Sequence, residues 1–120
     1  MLPRQARMRT RADFAAALRR TGSDLPRHAG RGGVVVHLAA GAMGAAESAR
    51  VGFVVSKAVG NSVVRHRVTR RLRYVVRARL DRLPEGSLVV IRARPAAAGA
   101  DSHALGDDVD AAFARLGLPR

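Results

Sequence analysis

The chain has 120 residues and a formal charge of +13, which suits one domain with a modest core and a polyanionic partner. It has no cysteine, so disulfides, thiolate zinc sites and cysteine nucleophiles are excluded. No apolar run is long enough to span a bilayer, and Arg7, Arg9 and Arg11 interrupt any apolar leader, so a cytoplasmic protein without membrane contact is expected.

Met1 to Thr10 reads as a flexible basic arm on a single domain covering residues 1–120. Arg11 to Arg20 favours a helix, with Thr10 as a possible N-cap and Phe14 and Leu18 as an i, i+4 apolar pair; Thr21-Gly22-Ser23 ends it. Gly30-Arg31-Gly32-Gly33 is a flexible lead into a β-branched strand, Val34 to Leu38. After a small, loop-like stretch from Gly41 to Ala49, Arg50 to Ser56 is a second strand. A long helix runs from about Ser62 to Leu83, capped by Asn61 or Ser62 and stopped by Pro84-Glu85-Gly86. Ser87 to Arg92 is a third strand, expected parallel to the second, and a last helix begins at His103 or Leu105 and ends at Leu116. Asp107, Asp108 and Asp110 are placed in its first turns, and these acids together with Asp101 are read as serving capping and helix-dipole chemistry over metal binding. These elements make an α/β sandwich, with helices against a mostly antiparallel sheet.

The charge is concentrated. Residues 1–80 hold 17 bases and 3 acids (+14), whereas residues 81–120 hold 5 bases and 6 acids (−1). Val59 to Arg79 alone contains seven arginines and a histidine without one acid. At about 100° per residue, Val64, Val68, Leu72, Val75 and Val76 share one side of a helix, while His66, Arg70, Arg73 and Arg77, flanked by Arg67, share another. One side can enter a core while the other presents a rod of positive charge to nucleic-acid phosphates. Arg65 lies nearer the apolar side and must sit in the first turn to reach RNA. Neither paired carboxylates on one element nor a metal-spaced His/Asp/Glu cluster is visible.

The segment Arg50 to Arg73, R-V-G-F-V-V-S-K-A-V-G-N-S-V-V-R-H-R-V-T-R-R-L-R, resembles the signature of the bacterial ribonuclease P protein subunit. The likeness runs from about residue 4 to residue 115 and includes Asp13-Phe14 and the A-R-P-A stretch from Ala93 to Ala96. It departs from the family pattern at His66, where asparagine is usual, at Thr69, where lysine is usual, and at Tyr74, where an acid is common. The resemblance implies an α+β fold, a two-layer sandwich of order α-β-β-β-α-β-α. Its sheet has about four strands, and a left-handed crossover runs through the basic helix.

By the same resemblance, the chain would partner a catalytic RNA subunit that cuts the 5′ leader from precursor tRNA. Magnesium ions would be held mainly by that RNA, and the protein, a monomer on its own, would supply no catalytic residue. Lys57, Asn61, Arg65, His66, Arg67, Arg70, Arg71 and Arg73 would meet the catalytic RNA. Arg11, Phe14, Leu18, Val36, His37 and Ser56 would hold the single-stranded leader between the first helix and the sheet. A small ribosomal-type RNA-binding structural protein has the same composition, but the G-N-x-V-x-R-x-R run weighs against it. A nucleoid DNA binder would need a helix-turn-helix pair or a dimerisation heptad, and neither is visible.

Overall fold

The computed structural model describes residues 27–39 and 48–119. Within them lie strands β1 (Arg27–Arg31), β2 (Val34–Ala39) and β3 (Arg50–Val54), helix α1 (Ser62–Arg77), strand β4 (Leu88–Ala93) and helix α2 (Ser102–Arg115). Short 3-10 turns occupy Leu80–Arg82 and Pro95–Gly99. The expected basic arm, the helix at Arg11 to Arg20 and most of the Gly41 to Ala49 stretch fall outside the described residues.

The strands form one four-stranded sheet in the order β1-β2-β4-β3. β1 and β2 make an antiparallel hairpin, β2 pairs antiparallel with β4, and β3 runs parallel to β4, as the sequence predicts. Parallel neighbours need a crossover, and α1 supplies it. Period-two alternation sends Val34, Val36, Leu38, Val51, Val89 and Ile91 into the core beneath the helices. The same alternation sends His28, Val35, His37, Val54, Val90 and Arg92 to the opposite face. α1 contributes Val68, Leu72, Val75 and Val76 to that core, and α2 contributes Leu105, Val109, Ala112 and Phe113. The two helices pack side by side, with α2 over β1 and β2.

β1 is a strand where the sequence suggests a flexible lead, because its pairing partner creates it. The register sets Ala29 against Val36 and His28 against His37, and the turn needs Gly32 at φ +52°. Any Cβ at Gly32 would collide with the Asp108 carboxylate, which accepts a hydrogen bond from the Gly33 N–H at 3.0 Å. The first hairpin is thereby fastened to the last helix. Arg115 adds a second tie, donating to the Gly30 carbonyl at 3.0 Å.

α1 begins where predicted: the Asn61 side chain accepts from the Val64 N–H at 3.0 Å. It ends six residues before the predicted Leu83, and the cause is an arginine clamp. Arg79 turns back to donate to the Val75 carbonyl at 2.7 Å and meets Asp110 of α2 with both Nε and a terminal nitrogen, at 2.7 and 3.1 Å. Arg82 pairs with the same carboxylate and lies over the Phe113 ring at 5.2 Å. Gly106, inside α2, leaves room for the Arg79 guanidinium: a Cβ there would stand 2.9 Å from its terminal nitrogen.

The acids of α2 therefore differ from the expected dipole role. The helix starts at Ser102 with Asp101 as N-cap, accepting from Ala104 N–H at 2.8 Å, so Asp107, Asp108 and Asp110 lie beyond the first turn. Asp108 and Asp110 instead hold partners on β1–β2 and after α1.

Two outcomes follow from this packing. Gly32→Ala combines left-handed backbone strain with displacement of Asp108 and should cost about 2–3 kcal/mol in urea unfolding. The Arg79 hydrogen bond, aided by Arg82 against the opposing effect of burial, holds the Asp110 carboxyl down to about 2 from 3.8. A depressed folded value stabilises the fold above the unfolded value, and that stability is lost as pH falls through the folded one. Thermal melts should decline from pH 4 toward pH 2. Asp110→Asn should flatten that decline and cost roughly 1 kcal/mol at neutral pH, since solvent screens a partly exposed pair.

Candidate RNA interface

From Ser48 to Leu80 the chain contains no acid, so α1 carries its arginines without an acidic residue of its own. Burial divides them into three strips. Along the outward strip His66, Arg70 and Arg77 are exposed, together with Val63 and Tyr74, and Lys57 and Asn61 continue the exposed surface before the helix. One flank holds Arg65, Thr69 and Arg73, all half-buried, with the Thr69 hydroxyl donating to the Arg65 carbonyl at 2.9 Å. The other flank holds Arg67 and Arg71, which are committed to the protein itself. Arg67 donates to the Ala98 carbonyl at 3.2 Å and Arg71 to the Ala100 carbonyl at 2.7 Å.

Those two hydrogen bonds correct the picture of eight equivalent contacts. Lys57, His66 and Arg70 are exposed, as is Asn61 with its side-chain oxygen engaged as the α1 cap, whereas Arg65, Arg67, Arg71 and Arg73 are partly covered. The Nε atoms of Arg65, Arg67 and Arg73 are buried without an acceptor, leaving their terminal amino groups as the part a phosphate can reach. Arg67 and Arg71 still offer spare N–H donors, because a guanidinium has five and each uses one here. Arg77 is exposed on the same outward strip as His66 and Arg70, whereas Arg79 and Arg82 belong to the Asp110 clamp.

The open face of the sheet is the second surface. His37 stacks obliquely on His28, with ring centroids 5.6 Å apart and planes tilted by 32°. Burial, then the nearby His28 and Arg92, push the His37 imidazole below its usual ionisation range, and its Nε2 is buried without a protein partner. Ser56 is exposed just past β3. Val36 is a correction: its side chain is completely buried in the core on the face opposite His37, so it cannot line a leader cleft. Arg11, Phe14 and Leu18 lie outside the described residues. His28 and Arg92 escaped sequence reasoning because β1 was not legible as a strand, and only its register brings His28 opposite His37.

Chemically, the two surfaces offer cations, hydroxyls and imidazoles but, among the described residues, no carboxylates. The described acids of α2 are already engaged as cap, turn anchor or ion-pair partner, apart from Asp107, which stands 3.6 Å from His103. No group of three His, Asp or Glu among the described residues is placed to hold a metal ion. No described helix is long and apolar enough to cross a membrane.

Comparison with known proteins converges on one family. Residues 2–117 match the family model described as Ribonuclease P. The chain is 52% identical over 122 residues to the ribonuclease P protein component of Streptomyces avermitilis, covering 97% of this chain and 95% of that one. It is 45% identical to the component from Corynebacterium diphtheriae, covering 100% of both. Among solved structures, the RNase P protein of Staphylococcus aureus superposes with a TM-score of 0.76 at 18% identity, over 92% of this chain and 94% of the other. That of Thermotoga maritima superposes at 0.69 with 20% identity, over 88% and 92%. The mixed sheet, its crossover through an arginine-rich helix and the extent of these matches agree: the chain belongs to the ribonuclease P protein component family.

Proposed function

We propose that this chain joins a catalytic RNA as the protein subunit of ribonuclease P and so promotes endonucleolytic removal of the 5′ leader from precursor tRNA. The observation that carries the reading is the acid-free outward strip of α1, with His66, Arg70 and Arg77 exposed along one line. A straight row of cations on a rigid rod meets folded RNA through its phosphates, where shape rather than base identity is read. Lys57 and Asn61 extend the row at the helix start, and the terminal amino groups of Arg65, Arg67, Arg71 and Arg73 widen it. The substitution at His66 keeps a donor for phosphate where the family pattern has asparagine.

The leader is the partner of the sheet's other face. His28, His37 and Arg92 supply rings and a cation to an unpaired strand, with Ser56 beyond β3 and with Arg11, Phe14 and Leu18 from the N-terminal segment. Hydrolysis belongs to the RNA and its magnesium ions. The protein's part is binding and orientation, since its own carboxylates in α2 are structural. It acts in the cytoplasm, and the protein on its own is a monomer.

The deciding experiment is processing of precursor tRNA by the protein reconstituted with its cognate RNA at low magnesium. Cleavage that needs both components is expected; leader removal by the protein alone would overturn the assignment. Arg70→Ala should leave the fold intact and weaken RNA-subunit binding, with the slope of log K against log salt reduced by roughly one. An unchanged slope would remove the α1 ridge from the interface. His37→Ala should weaken binding of precursor tRNA several-fold more than binding of mature tRNA, measured side by side on the reconstituted complex.

A further inference from the structure

Beyond the ridge, α1 ends beside an open groove that no part of the reading above uses. It has a volume of about 770 Å³ and lies between the last turn of α1 and the first turns of α2, with Tyr74, Arg77, Ala78, Ser102, His103 and Gly106 among its walls. Tyr74 is 68% exposed, a large ring left in water on the described surface. It stands four residues after Arg70 and three before Arg77, so all three are neighbours on one helix face. The groove is open because α2 passes it with Gly106, whose missing side chain lets the Arg79 guanidinium form part of the wall.

We propose that this groove is a subsite for one unpaired nucleotide, its base stacked on Tyr74 and its phosphate on Arg77, with Arg70 one turn away on the same helix face. The inference rests on the RNA-binding reading of α1 and adds a contact of a different kind to it. Arginines alone bind backbone; a ring between two of them binds a base that has left its helix. Charge sets the polarity of the fit. Among the described residues lining the groove, the one carboxylate, Asp107, lies on the α2 side near His103 at 3.6 Å, so the phosphate belongs on the α1 side, whose own sequence holds no acid. The volume falls within the range of pockets that hold one small ligand rather than a duplex.

Tyr74 is the chain's single tyrosine, and there is no tryptophan. Protein grown with 3-fluorotyrosine therefore gives one ¹⁹F resonance that reports this position alone. The resonance should shift on addition of a single-stranded uridine pentamer and stay in place with an abasic ribose-phosphate pentamer of equal charge. Tyr74→Ala should weaken the uridine pentamer roughly tenfold, with Tyr74→Phe close to the parent, since stacking needs the ring and not the hydroxyl. Equal shifts with both oligomers, or none with either, would overturn the subsite. Should Arg70→Ala still impair assembly with the RNA subunit in that case, the ridge stands and only the groove falls.

Discussion

The burial of Val68, Leu72, Val75 and Val76 beneath the sheet is the contact on which the molecule depends. α1 concentrates like charges at three- and four-residue spacings, and each such pair opposes the helix by about 0.2–0.5 kcal/mol. No acid within the helix offsets them. Each fully buried valine or leucine contributes about 1.5–3 kcal/mol, so four of them outweigh the repulsion with a margin. The helix can thus hold an unneutralised charge density that would melt an isolated peptide of the same sequence. A functional surface of this type requires a strong apolar underside.

The described cations on and after α1 include two sets with different physical fates. Arg79 and Arg82 meet Asp110, and Arg67 and Arg71 meet carbonyls of the turn after β4. These fix the C-terminal half of the fold to α1. His66, Arg70 and Arg77, by contrast, stay in solvent. Among the described residues, the carboxylate that meets Arg79 and Arg82 is Asp110 of α2, in the part of the chain, residues 81–120, that is close to neutral although the whole carries +13. Charge segregation along the sequence becomes segregation in space: one helix supplies the anions that the fold needs, and the other keeps its cations for a ligand.

Much of this was legible in the residues. The apolar spacing of α1, the Asn61 cap, the β-branched strands and the parallel pairing of β3 with β4 all follow from local pattern. What local pattern could not supply was long-range. Arg27 to Arg31 has no strand composition and is a strand only because β2 pairs with it. The end of α1 is set by Asp110, some thirty positions away, and not by Pro84. Val36 and His37 are adjacent in sequence, and only the register of the sheet decides that the first is core and the second faces out. Arg67 and Arg71 read as ligands for RNA, and nothing in their spacing shows that carbonyls of Ala98 and Ala100 reach them first.

The tie between Gly33 and Asp108 spans 75 positions. During synthesis the turn of the first hairpin leaves the ribosome long before the carboxylate that locks it, and the whole α1 segment is synthesised in between. At typical elongation rates the interval is several seconds. The nascent chain thus exposes its cationic α1 segment to surrounding RNA before its sheet is secured, and an early encounter with the cognate transcript would act on an unfinished fold. Assembly of the particle and folding of the polypeptide are thereby linked in time by the position of a single aspartate.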